Sequence, residues 1–93
     1  MHRAIIVVDG RVQGVGFRWW AMGEARELGL AGRATNLDDG TVQVDVQGDL
    51  NQIGRMVRRL IEQPTTTARP GRVTGHTLQW VDPVAGTKGF QAY

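Results

Sequence analysis

Residues 10–20 read GRVQGVGFRWW, and the reading of this stretch decides the fold. The segment before it, AIIVVDGRV (4–12), is β-branched and reads as a strand. After it, Phe17, Trp20, Ala21, Ala25 and Leu28 recur near helical spacing, and Gly29 supplies a helix stop. Between the two lies QGVG. Gly14 and Gly16 carry no Cβ and accept positive φ. A strand, a glycine turn and a helix form the first half of a βαβ unit.

The same turn is a candidate anion cradle. A turn made of such glycines can aim successive main-chain N–H groups at one point, and the start of a helix adds free donors and a positive dipole end. Arg18 stands where turn becomes helix. Its planar guanidinium can engage two phosphate oxygens together, as a lysine cannot. Most glycine turns between a strand and a helix bind nothing, so both readings stay open on chemistry alone. A dinucleotide fingerprint is excluded, because Trp19 occupies the place of its third glycine. A Walker loop is excluded because no G-K-[ST] follows.

Outward from the turn, GRATNL (32–37) reads as a second strand, and DDG (38–40) is a hairpin signal. TVQVDVQ (41–47) alternates strictly, with Val42, Val44 and Val46 on one face. Asp49 is a suitable N-cap for a second helix striped by Leu50, Ile53, Val57, Leu60 and Ile61 and ended by Pro64. TTTARPG (65–71) reads as a loop. RVTGHTLQW (72–80) is a further strand with Leu78 and Trp80 on one face, and GFQAY (89–93) is a short final edge strand. The order is βαββαβ with a fifth strand. It predicts an α+β sandwich in which an antiparallel sheet of four to five strands carries two helices on one face. No linker or low-complexity segment divides residues 1–93, so one domain is expected.

Composition narrows the function. The 93 residues carry 11 Lys+Arg against 9 Asp+Glu, a net charge of +2, which suits a small anion better than a long polyanion. There is no cysteine, so disulfides, zinc thiolates and thiol nucleophiles are excluded. The only histidines, His2 and His76, are too few for a histidine metal site. AIIVV is too short for a signal or membrane segment. A cytoplasmic monomer is the default expectation.

GRVQGVGFR resembles the acylphosphatase signature, in which a V-Q-G-V turn leads to an aromatic and then an arginine. ARELGLAGRATNLDDGTVQVDVQGD (25–49) is similar to that family's A-x-x-L-G-L-x-G-x-V-x-N-x-x-D-G-x-V block, and KGFQAY (88–93) to its C-terminal end. The resemblance covers essentially the whole chain and is weakest at 63–78. It implies a ferredoxin-like fold and the hydrolysis of acyl phosphates to carboxylate and inorganic phosphate, without metal or cofactor. By position, it implies that Arg18 is the phosphate-binding arginine. The cradle is then the backbone of Gln13, Gly14, Val15, Gly16, Phe17 and Arg18, and Asn36 is the catalytic asparagine.

This chemistry suits so few parts. The leaving group of an acyl phosphate is already a carboxylate, and the loose transition state spreads charge over the equatorial oxygens. Fixed N–H donors and a guanidinium stabilise that charge. An asparagine is no general base at neutral pH, so Asn36 is assigned the positioning of water, with a substrate oxygen as proton acceptor. Taken without the family, Asn36 reads as a residue flanking the LDDG turn.

Other residues have plainer readings. Asp38 and Asp39 are turn formers. Trp20 is expected to face the core and Trp19 to be partly exposed. Arg55, Arg58 and Arg59 read as a solvated helix face, and His76 as a partly buried strand histidine. Ile5 and Val7 are expected on the uncovered sheet face. The chain departs from the family's G-W-V-x-N, with Arg33 and Ala34 in place of the tryptophan and valine. The smaller Ala34 buries less apolar surface, worth about 1–2 kcal/mol unless neighbours refill the space.

Two other functions compete. Ferredoxin-like sheets carry RNA on exposed aromatics of the central strands. The third strand offers Thr41, Gln43, Asp45 and Gln47 there and no aromatic ring, so nucleic acid is not an expected partner. The other is a non-catalytic acylphosphatase-like domain that binds an anion or a partner without turnover.

Overall fold

The computed structural model describes residues 1–93. Strand β1 (His2–Arg11) is followed by helix α1 (Phe17–Glu27), strands β2 (Ala31–Asn36) and β3 (Val42–Gly48), helix α2 (Leu50–Ile61), and strands β4 (Arg72–Val81) and β5 (Phe90–Ala92). The sheet order is β4-β1-β3-β2-β5. The predicted element order is therefore observed. One detail is corrected. Four strands pair antiparallel, but β5 runs parallel to β2, with Gly32 opposite Phe90 and Ala34 opposite Ala92, so the sheet is mixed. The 82–89 connection carries the chain from β4 at one edge of the sheet to β5 at the other, so β5 starts at the end where β4 stops and runs alongside β2 in the same direction.

Alternation along the strands sets the two sheet faces. Ala4, Ile6 and Val8 of β1 and Val42, Val44 and Val46 of β3 are completely buried beneath the helices. Ile5 and Val7 lie on the open face, as expected, and are half-buried. Helix α1 packs over β2 and β5, and α2 over β1, β3 and β4. The small residues Ala21 and Ala25 let α1 lie close to the sheet, with Phe17 buried at its first turn. Helix α2 buries Ile53, Met56 and Leu60. Asp49 caps it as predicted, its carboxylate accepting from the amides of Asn51 and Gln52.

The sheet edge overturns several burial expectations. β4 is an outer strand, and α2 covers it only toward Val73. Leu78 and Trp80 share a face but are 36% and 52% exposed, and Leu50 at the start of α2 is 46% exposed. His76, on the same uncovered part of β4, is exposed rather than partly buried. Arg59 is not merely solvated: it reaches Glu24 at 3.4 Å and Glu27 at 3.3 Å on α1, clasping the two helices. Arg69, in the 65–71 loop, is buried and donates to the carbonyls of Arg59 and Leu60 in the last turn of α2. Those carbonyls have no partner within the helix. Burial pulls the Arg69 pKa below the usual arginine value, against the opposing charge of Glu62.

Candidate active site

The β1–α1 turn has the backbone its glycines predict. Gly14 has φ +73° and Gly16 φ +85°, and Gly16 serves as the N-cap of α1 in the left-handed conformation. No side chain caps this helix. The amides of Gln13, Gly14, Val15 and Gly16 donate to no protein acceptor, and those of the first helical turn have no intrahelical partner. Two flanking side chains anchor the loop. Val12 and Phe17 are both 1% exposed, so the turn is held at each end by the core while its N–H groups stay free.

Arg18 is half-buried at the first turn of α1 and forms no ion pair with a carboxylate. Its charge has no acidic partner within the protein and lies beside amides of the same electrostatic sign. Trp19 is exposed, as expected. Trp20 is half-buried against Phe17, ring centroids 5.2 Å apart, and its indole N–H donates to the Thr67 carbonyl at 3.0 Å. That bond fastens the 65–71 loop to α1.

Asn36 ends β2 opposite Val42, on the helix-covered face. Its side-chain Oδ1 is buried and has no hydrogen-bond partner within the protein. A buried carbonyl without a partner costs about 1–3 kcal/mol, and native structures hold few such groups.

Gln13 was expected to contribute only backbone. Its side chain does more. Nε2 donates to the carbonyls of Leu37 at 2.8 Å and Thr41 at 2.9 Å. The cradle is thereby tied to both arms of the β2–β3 hairpin, one residue from Asn36. The long amide inside a glycine turn was the available signal, because only a side chain with two donors and that reach can bridge two carbonyls. The hairpin is braced in turn by Asp39, whose Oδ1 accepts from the Thr41 amide at 3.0 Å and hydroxyl at 2.6 Å. These bonds hold the Asp39 carboxyl below the usual carboxylate range. Asp39 is thus a turn former, as read. Thr41 and Gln47, expected on the open face of β3, are buried at 7% and 3% exposure. Thr41 turns into the hairpin brace, and Gln47 lies beneath the 82–88 segment.

Two helices on one face of a sheet threaded βαββαβ, with a fifth strand at the edge, define a ferredoxin-like α+β domain. A family model described as acylphosphatase matches residues 4–92. The chain is 49% identical over 88 residues to an acylphosphatase of Corynebacterium efficiens, covering 95% of this chain and 88% of that one. Among solved structures, it resembles the acylphosphatase of Bacillus subtilis with a TM-score of 0.84 at 31% identity, covering 100% of this chain and 99% of that one. It also matches part of full-length HypF, crystallised in a phosphate- and nucleotide-bound form, with a TM-score of 0.82 at 26% identity, covering 99% of this chain and 12% of that one. The chain belongs to the acylphosphatase family, whose members are enzymes that hydrolyse acyl phosphates.

Proposed function

We propose that the turn at 13–18 binds the phosphoryl group in acyl-phosphate hydrolysis and that Asn36 positions the attacking water. The observation that carries this reading is the run of unpartnered amides from Gln13 to Gly16, leading into an uncapped helix whose first turn holds the unpaired Arg18. The phosphoryl oxygens accept from these amides and from the guanidinium, and charge growing on them in the transition state meets fixed donors. Oδ1 of Asn36 accepts a hydrogen bond from water and turns a lone pair of that water toward phosphorus. The water oxygen bonds to phosphorus as the bond from phosphorus to the carboxylate oxygen breaks. The carboxylate departs with the electron pair, and the proton of water passes to a phosphoryl oxygen.

No metal enters this reading. A carboxylate leaving group needs no Lewis acid. The open face of the central strands carries Arg3, Ile5, Val7, Gln43 and Asp45 without an aromatic ring, which supports a small-molecule substrate over RNA. No helix is long and apolar enough to cross a membrane. The reading places the enzyme in the cytoplasm as a monomer, and elution at the mass of one chain in size-exclusion chromatography tests the second point.

The function is tested with benzoyl phosphate in metal-free buffer. Wild type turns it over, inorganic phosphate competes, and Arg18→Gln lowers kcat by about 100- to 1,000-fold, the usual effect of removing one fixed transition-state donor. A wild-type rate equal to spontaneous hydrolysis, with phosphate still bound, would establish the non-catalytic domain instead.

A further inference from the structure

We propose a second anion site, on the open face of the sheet, that takes a small organic molecule bearing two or more negative charges. The turn at 13–18 plays no part in it. A cavity of about 230 Å³ lies between the outer ends of β1, β2 and β3 and the segment that joins β4 to β5. It is smaller than a drug-sized pocket and of metabolite scale. Three cations line it, Arg3, Arg33 and Lys88, against one carboxylate, Asp45. Even with a main-chain carboxylate at Tyr93 counted, positive charge is in excess.

The cavity is built rather than incidental. Gln47 is 3% exposed, and its amide both donates to the Val84 carbonyl and accepts from the Val84 N–H, each at 2.8 Å. Arg3 donates to the Asp82 carbonyl at 3.1 Å. These bonds pin the 82–88 segment over the sheet and set the far wall. Arg3 also grips Asp45 through two bonds at 3.0 and 2.8 Å, so the one carboxylate is already neutralised. Arg33 and Lys88 have no carboxylate partner. The guanidinium of Arg33 sits 5.3 Å from the centroid of the Tyr93 ring, which steadies its plane and leaves its N–H edge free. Tyr93 and Val84 give the cavity its apolar surface, which suits an organic anion better than a bare inorganic one.

This assignment explains the departure at Arg33, where the family pattern has tryptophan. The position faces the open side of β2, opposite Asp45, and an aromatic there could not supply the charge. The site is separate from the cradle. Val42, opposite Asn36, points to the helices, whereas Asp45 and Gln47 point to the other face, three to five residues further along β3, about 10–17 Å away.

The test is calorimetric titration of citrate, with succinate as a smaller probe, in buffer containing enough inorganic phosphate to saturate the cradle. Wild type should bind citrate at one site, more weakly as salt is raised. Arg33→Trp and Lys88→Gln, both surface changes, should each weaken binding at least tenfold, while Arg18→Gln leaves it unchanged. A flat titration with both probes overturns the proposal. So does citrate binding that Arg18→Gln removes and the changes at Arg33 and Lys88 do not.

Discussion

The side-chain nitrogen of Gln13 bridges the carbonyls of Leu37 and Thr41 at 2.8 and 2.9 Å, so one amide group joins the 13–18 turn to the strand end that holds Asn36. The two proposed halves of the site share no element; this side chain is their link. Gln13→Met keeps the length and removes both donors. It should lower kcat with benzoyl phosphate by about 10- to 100-fold, because displacements near 1 Å in a site cost on that order. The affinity for inorganic phosphate, which needs only the backbone and Arg18, should change much less. An unaltered kcat would show that the bridge is ornamental.

Asn36→Ala should separate catalysis from binding. The substitution removes the buried Oδ1 that lacks a partner, and with it the hydrogen bond proposed to aim the water. We expect kcat to fall by about 100-fold or more and competitive inhibition by phosphate to persist. Loss of phosphate inhibition in step with kcat would move Asn36 from positioning water to holding the cradle.

Because the proposed site offers a guanidinium and an amide and no imidazole, thiol or carboxyl to serve as general acid or base, the rate should be flat between about pH 6 and 8. A bell-shaped profile in that window would require a general acid or base outside the proposed site.

Asp39 sets an acid limit on the hairpin. Its folded carboxyl titrates below the ordinary aspartate value of about 4, first through the Thr41 hydroxyl and then through the Thr41 amide. As pH falls, the unfolded chain takes up this proton before the folded chain does. The stabilisation is therefore complete above the unfolded pKa and is lost as pH drops through the lower folded value. Thr41→Val removes the hydroxyl, should raise the Asp39 pKa, and should flatten the decline of melting temperature between about pH 5 and 3. NMR titration of the Asp39 carboxyl checks the shift directly.

Arg69→Met should destabilise the fold without touching the site. The carbonyls of Arg59 and Leu60 lose their donor, at a cost of about 1–3 kcal/mol. For a domain of this size each kcal/mol lowers Tm by about 4–8 °C. A Tm within a degree of wild type would mean that the carbonyls find other partners.

What the sequence disclosed follows from how local each signal is. The alternation of Val42, Val44 and Val46, the Asp49 cap and the positive φ of Gly14 and Gly16 are all settled within a few residues, and all were legible. The direction of β5 was not, because it depends on pairing between Gly32 and Phe90. The exposure of His76 was not legible either, because only the sheet order shows that α2 does not reach its part of β4. The family motif located Arg18 and Asn36. The side-chain bridge from Gln13 lies between segments some two dozen positions apart, and no periodicity encodes it.

The strand order also bears on how the chain reaches its native state. Of the four strand pairings only β2 with β3 joins neighbours in the chain; β1 must find β3 and β4 across whole helices, and β5 must return to β2 from more than fifty residues away. Nearly all the sheet therefore rests on distant encounters, which places the domain among slower two-state folders, on a scale of milliseconds to seconds. The 37–41 corner is the one place where a pair of strands can close early. The polypeptide would thus assemble the hairpin bearing Asn36 first and recruit the 13–18 turn to it afterwards.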